Sequence, residues 1–172
     1  MLLQLGPSLP PPTATLAEIP DGRAGTRATL SLMAGLTRKG KNALAVRLAA
    51  QQLVQPLKQR DYAGEVRRLH AFVRDRIRYV RDIRGTETLQ DPDRTLTLKS
   101  GDCDDKAVLL ASLLESIGHR TRFHAVGFSP DRFAHVYVET LLGREWVSLE
   151  TTEPWEAGRA PTSAVVHMIV HV

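Results

Sequence analysis

The segment "KSGDCDDKAVLLASLLESIGHR", Lys99 to Arg120, constrains this chain more than any other. From Cys103 to Ile117 almost every position that is not acidic is apolar. At helical spacing Cys103, Ala107, Leu110, Leu114 and Ile117 share one stripe. Val108, Leu109 and Leu113 widen that stripe beyond what a surface helix carries. The spacing predicts a helix buried on most of its circumference, around which the other elements must be wrapped. Gly118 suits its C-terminal stop. At the other end Asp102 stands in N-cap position, with Asp105 three residues on in capping-box position. The only cysteine of the chain, Cys103, sits in that first turn.

The flanking sequence supplies what such a helix needs. Residues 1–25 are rich in Pro and Gly, lack periodicity, and predict an extended or poorly ordered arm. Thr26 to Leu36 alternates in part and predicts an edge strand. "NALAVRLAAQQLVQPLKQ" is helical, with Leu44, Leu48, Leu53 and Leu57 among its apolar positions, and Pro56 ends or kinks it. Asp61 caps a further helix running to about Tyr79. A loop from Arg81 to Thr97 leads to the cysteine. After Gly118 come "RTRFHAVGF", "FAHVYVETL", "EWVSLE" and "SAVVHMIVHV", all strand-like. Helices first and strands afterwards is an α+β order, with the buried helix packed on an antiparallel sheet. Residues 26–172 form one domain, a size that buries a sizeable core.

Several function classes fall away. No apolar run approaches the roughly 20 residues of a membrane span. The start, "MLLQLGPSLPPP", carries no basic leader and does not read as a secretory signal, so the chain is expected in the cytoplasm. One cysteine excludes an internal disulfide framework and a multi-cysteine zinc site. The net charge is +4. Its basic cluster, Arg67 to Arg84, lies mostly off the stripe of Tyr62, Val66, Leu69, Val73, Ile77 and Val80, interleaved with Asp75 and Asp82. A solvated helix face accounts for it better than a nucleic-acid surface. No cofactor and no metal site is expected. His167 and His171, in a β-branched run, stand roughly 13 Å apart on a strand and read as structural. No close ligand pair supports zinc at Cys103 and His135.

Two readings of Cys103 remain open, a small buried hydrophobe and a nucleophile. A helix N-terminus favours a thiolate, while the neighbouring aspartates oppose one if they face the sulfur. A nucleophile here needs a basic partner. The shortest hairpin in "RFAHVYVETLLGREWVSLETTEP" puts Leu142-Gly143 at the turn. Leu141 then faces Arg144, Glu139 faces Trp146, Tyr137 faces Ser148 and His135 faces Glu150, with Cβ atoms about 5 Å apart. Val136, Val138, Val147 and Leu149 form the opposite face. Cys103, His135 and Glu150 are thus a candidate nucleophile, base and orienting acid. His124 is a weaker base, because the local register places no acid opposite it.

The blocks "GDCDDKAVLLASLLESIGHRTRFHAVGF", "HVYVE" and "EWVSLETTEP", preceded by "VRDRIRYVRD" and "ETLQDP", resemble the transglutaminase-like superfamily, a papain-like cysteine fold. The small microbial and phage-encoded members are the most similar. The resemblance spans roughly Thr26 to Pro154. It implies that Cys103 is the nucleophile, His135 the general base and Glu150 the third member, where the family commonly has aspartate. It implies oxyanion donors at the Cys103 backbone N–H and in the preceding loop, with Gln90 a candidate. Trp146, on the same expected hairpin face as His135, is a candidate substrate-binding aromatic. The chemistry implied is acyl transfer from a peptide, isopeptide or glutamine-type amide of a protein or peptide substrate, through a thioester. Water as acceptor gives a protease or amidase, the favoured outcome, and an amine gives a transglutaminase. The rival is a non-catalytic binding or virion-assembly module on the same fold.

Overall fold

The structure, a computed structural model of the chain, describes residues 19–82 and 88–172. The bulk of the N-terminal arm, residues 1–18, and part of the expected loop, residues 83–87, lie outside the described residues. Helix α1 is Gly22–Gly40, α2 Leu44–Val54, α3 Tyr62–Arg76, α4 Pro92–Leu98 and α5 Cys103–Ser116. A two-residue strand β1, Arg78–Tyr79, pairs in parallel with β2, Ser100–Gly101. Strands β3 (Thr121–Gly127), β4 (His135–Leu142), β5 (Glu145–Leu149) and β6 (Val166–His171) form an antiparallel sheet of order β5-β4-β3-β6. This is the α+β architecture expected. No helix among the described residues is long and apolar enough to cross a membrane.

The predicted burial of α5 holds: every residue from Asp105 to Leu114 is buried. One side of it meets the inner sheet face, where Phe123, Ala125, Val136, Val138, Leu149 and Met168 join the core. The remaining sides meet α1, α2, α3 and α4. A helix so enclosed must find protein partners for its polar side chains. Lys106, 2% exposed, reaches the end of α3, donating to the carbonyls of Ile77 (2.8 Å) and Arg74 (3.4 Å). Those carbonyls lie in the last turn of α3 and just beyond it, where helical partners run out. Burial pulls the Lys106 ammonium down to about 8, with the charges of Glu150 and Asp75 opposing the change. At the other end of α5, Glu115 accepts from the Thr121 N–H (2.8 Å) and hydroxyl (3.0 Å), fixing the turn into β3.

Several expectations need correction. Thr26–Leu36 is not an edge strand but the middle of α1. Its alternation of Leu30, Leu32 and Ala34 is accidental, because Leu30, Met33, Ala34 and Thr37 are the buried set and Leu32 is exposed. The 3.6-residue period decides the element. That helix starts at Gly22, inside the stretch assigned to the arm. The expected loop before the cysteine contains α4, opened by Pro92 at a first-turn position where its missing N–H does no harm. Helix α3 keeps its Asp61 cap, which accepts from the Gly64 N–H at 2.9 Å, but ends at Arg76 so that Arg78 and Tyr79 can pair with β2. In α2 the buried face is Val46 and Ala50, while Leu44 and Leu48 are exposed.

Replacing Lys106 with methionine keeps apolar volume but leaves two carbonyls without their donor. An unsatisfied buried acceptor costs about 1–3 kcal/mol. Lys106→Met is expected to lower the melting temperature by several degrees, and thermal unfolding followed by far-UV dichroism checks it.

Candidate active site

The capping box at the head of α5 is complete. One Asp102 carboxylate oxygen accepts from the N–H groups of Asp104 (3.0 Å) and Asp105 (3.1 Å), and the Asp105 side chain accepts from the Asp102 N–H (3.4 Å). The Lys106 N–H goes to the Asp102 carbonyl at 3.1 Å. Among the described residues, the Cys103 N–H is the one donor of this turn without a hydrogen-bond partner. Gly101 lets the chain enter tightly, since a Cβ there would lie 2.5 Å from the Asp105 Cβ.

The sulfur of Cys103 lies against the start of β4. Strand β5 ends at Leu149, opposite Val138, so the earlier β4 edge has no partner strand, and the Val136 N–H is directed at the sulfur. His135, the first residue of β4, is the next one along. Its Nε2 is hydrogen-bonded to Glu150 Oε2. Glu150, immediately after β5, is 0% exposed, and its Oε1 accepts from the Thr152 N–H (2.6 Å) and hydroxyl (2.7 Å). Burial pushes this carboxyl up, but His135 and the Thr152 donors outweigh it and hold the group below its usual range. The structure therefore brings Cys103, His135 and Glu150 to one corner of the sheet.

The register that joins them is not the expected one. The turn is Gly143-Arg144, with Gly143 in the left-handed region at φ 63°, and β4 pairs Leu141 with Trp146 and Glu139 with Ser148. Moving a tight turn by one residue shifts the pairing by two, so each side chain keeps its face. Continued past Leu149, this register puts Glu150 diagonal to His135 rather than directly opposite. Diagonal residues lie about 7–8 Å apart, within reach of long side chains.

The hydrogen bond of the Cys103 thiol goes to Asp104 Oδ1 at 3.4 Å, and no hydrogen bond joins it to His135. Burial first, then the charges of Asp104 and Asp102, raise the Cys103 thiol far above its ordinary value, and the Val136 N–H works the other way. Asp102 is itself raised to about 7, by burial and by the neighbouring Asp104 charge.

The family model of the transglutaminase-like superfamily matches residues 49–151, a span that includes all three side chains. The chain belongs to this superfamily. Its fold is similar to a candidate protease of Parabacteroides distasonis (17% identity, TM-score 0.57) over 72% of this chain and 26% of that one. It is also similar to a candidate cysteine protease of Cytophaga hutchinsonii (18% identity, TM-score 0.52) over 73% of this chain and 45% of that one. A third likeness is to EGTA-treated LapG of Legionella pneumophila (16% identity, TM-score 0.50), over 70% and 71% of the two chains. The chain thus spans about a quarter and under half of the first two proteins. No curated protein matches it in sequence.

Within this transglutaminase-like corner, Gln90 is bound to the first turn of α5: its N–H and side-chain amide donate to the two oxygens of Asp105, at 2.8 and 2.7 Å. Its Oε1 is buried without a hydrogen-bond partner among the described residues. Trp146 is elsewhere. It stacks under the Arg122 guanidinium (4.1 Å) and lines a cavity with Glu115, Arg120 and His171. Glu115 is twelve residues along α5 from Cys103, about 18 Å of helix. Trp146 is therefore not brought to the thiol. His124 does meet an acid, contrary to expectation. Glu139, diagonal to it across β3 and β4, accepts from its Nδ1 at 3.1 Å, and its Nε2 meets His167 Nδ1 at 3.0 Å. Asp102, Cys103 and Asp104 form the one group of three candidate ligand atoms among the described residues, within 4.8 Å of one another. One Asp102 oxygen already serves the helix cap there.

Sequence reading missed His70, whose Nε2 is bonded to the backbone carbonyl of Glu150. Its only local sign is its place among the apolar positions Val66, Leu69 and Val73.

The electrostatics yield a prediction. The folded Asp102 value lies above the unfolded one, so its contribution to stability is fully present below pH 4 and is lost as pH rises through 7. Asn keeps the capping oxygen without the charge. Asp102→Asn should raise the melting temperature more at pH 8 than at pH 4. Because each unit of thiol pKa changes the thiolate fraction about tenfold, Asp102→Asn with Asp104→Asn should also speed iodoacetamide labelling of Cys103 at pH 8 several-fold. Labelling rates followed by mass spectrometry check it.

Proposed function

We propose that the protein is a cysteine-dependent amide hydrolase acting on a peptide, isopeptide or glutamine-type amide. The observation that carries this reading is the buried Glu150 carboxylate, held by Thr152 and bound to Nε2 of His135, whose neighbour Val136 turns its N–H to the sulfur of Cys103. With Nε2 committed to Glu150, Nδ1 is the ring nitrogen left to act as base.

Substrate binding transfers the thiol hydrogen bond from Asp104 to His135 Nδ1. Geometry between base and nucleophile is often looser before substrate binds. His135 takes the thiol proton as sulfur attacks the carbonyl carbon, and Glu150 stabilises the imidazolium. The Cys103 N–H, unpaired among the described residues, faces the developing oxyanion. Collapse breaks the C–N bond, and His135 returns its proton to the departing amine. Water, deprotonated by His135, then attacks the thioester, and the acid leaves as the thiol is restored. A resting thiol with a raised pKa fits this order, because the proton leaves only when the base is aligned.

The raised thiol is also what favours the rival reading, a binding module on this fold. A panel of glutamine-containing and cell-wall peptides plus a labelled primary amine discriminates. Hydrolysis releases acid and ammonia, or cleaved peptide, and Cys103→Ala abolishes it. Glu150→Gln loses about ten- to a hundredfold less than Cys103→Ala, as an orienting group does. Efficient amine incorporation would replace hydrolysis by transamidation, and no turnover on any amide would leave the binding module.

A further inference from the structure

The sheet alone does not determine where the Glu150 carboxylate sits. Glu150 follows the last paired residue of β5, and by alternation its backbone carbonyl falls on the edge away from β4, the edge where the Ser148 carbonyl accepts from the Gly158 N–H. A buried carbonyl needs a donor, and α3 supplies one from the opposite layer. His70, 1% exposed, directs Nε2 at that oxygen. A carbonyl only accepts, so Nε2 carries the proton. Burial, together with the Arg74 charge, disfavours a second proton on the ring, while the Glu150 bond and the Glu156 and Glu150 charges favour it; the net effect is to lower the imidazole below its usual value.

Arg74, one turn along the same face of α3, makes the second attachment. Its guanidinium donates to the Trp155 carbonyl (2.7 Å) and to Glu156 (2.9 Å). The segment 150–156 is thus fastened to α3 at both ends, with Thr152 between them orienting Glu150 Oε1. Helix α3 is itself tied to the nucleophile helix by Lys106.

We propose that His70 is a positioning residue, which as an Nε2–H donor to the Glu150 carbonyl fixes the carboxylate against His135. The inference rests on the amide-hydrolase reading for its catalytic meaning, but its geometry is tested separately. Gln can present an N–H near the place of Nε2, whereas Leu cannot.

In the full chain, long-range proton–nitrogen spectra at pH 8 should show His70 as the Nε2–H tautomer. A Nδ1–H tautomer there overturns the proposal without any variant. In the Cys103→Ala background, His70→Leu should lose hydrogen-exchange protection at the Thr152 amide while Val138 in β4 keeps it, and His70→Gln should restore it. With Cys103 present, His70→Leu should slow His135-dependent labelling of Cys103, and turnover at unchanged KM, by about ten- to a hundredfold, as small misplacements do. His70→Gln should recover most of that loss. Unchanged Thr152 protection in His70→Leu sinks the proposal, as does equal damage by Leu and Gln. If His70→Leu does not fold, the tautomer decides. If Cys103 labelling in the unmodified protein does not depend on His135, the hydrolase reading fails instead, and Thr152 exchange still judges the placement.

Discussion

Enclosing α5 on nearly its whole circumference obliges its polar side chains to find partners in whatever layer they meet, and those partnerships tie the layers together. Asp105 takes the Gln90 amide from the chain before α4. Lys106 takes the carbonyls at the end of α3. Glu115 takes the turn into β3 and, at 3.3 Å, Lys41 beyond α1. Apolar burial supplies most of the stabilisation but is indifferent to small slides and rotations, whereas these bonds set position. Their spread along α5 means that Cys103 is fixed relative to α3 before any contact with the sheet is considered.

The first turn of that helix carries opposed demands. A buried N-terminus needs acceptors, and aspartates at the cap and third positions satisfy three backbone donors. A nucleophilic thiol in the same turn gains from the helix dipole and loses from those carboxylates. The loss wins, because the sulfur is also desolvated and close to Asp104. Any activation must therefore come from a base on another element, which makes the packing of α5 against the head of β4 a chemical requirement as well as a structural one.

Much of this was legible locally. The α5 stripe, its capping box, the Asp61 cap and the four strands each follow from residues within a few positions of one another. The errors arose where two periods fit one short run, as at Thr26–Leu36, or where one turn residue sets a register, as at Gly143-Arg144. The hairpin error was harmless to the face assignment, because a shift of two preserves alternation, and this is why His135 and Glu150 still meet. Trp146 shared the expected face with His135 but stands toward the opposite end of the sheet, a displacement that alternation cannot report. His70 was invisible for another reason. Its partner is a backbone carbonyl eighty residues away, and no side-chain pattern announces a carbonyl at the open edge of a strand.

The glutamate that meets His135 follows from the same geometry. An acid directly opposite His135 starts about 5 Å away, and one on the diagonal starts about 7–8 Å away. The observed register puts residue 150 on the diagonal, and the added methylene of glutamate supplies the reach that aspartate would lack. A longer side chain has one more rotatable bond, so the extra reach brings extra freedom. Here that freedom is removed twice: at the carboxylate by both Thr152 donors, and at the backbone by His70. Register, side-chain length and the bond from α3 are thus one compensated set. Aspartate at 150 would suit a hairpin whose turn lay one residue earlier, and in this hairpin it would leave His135 without its acid.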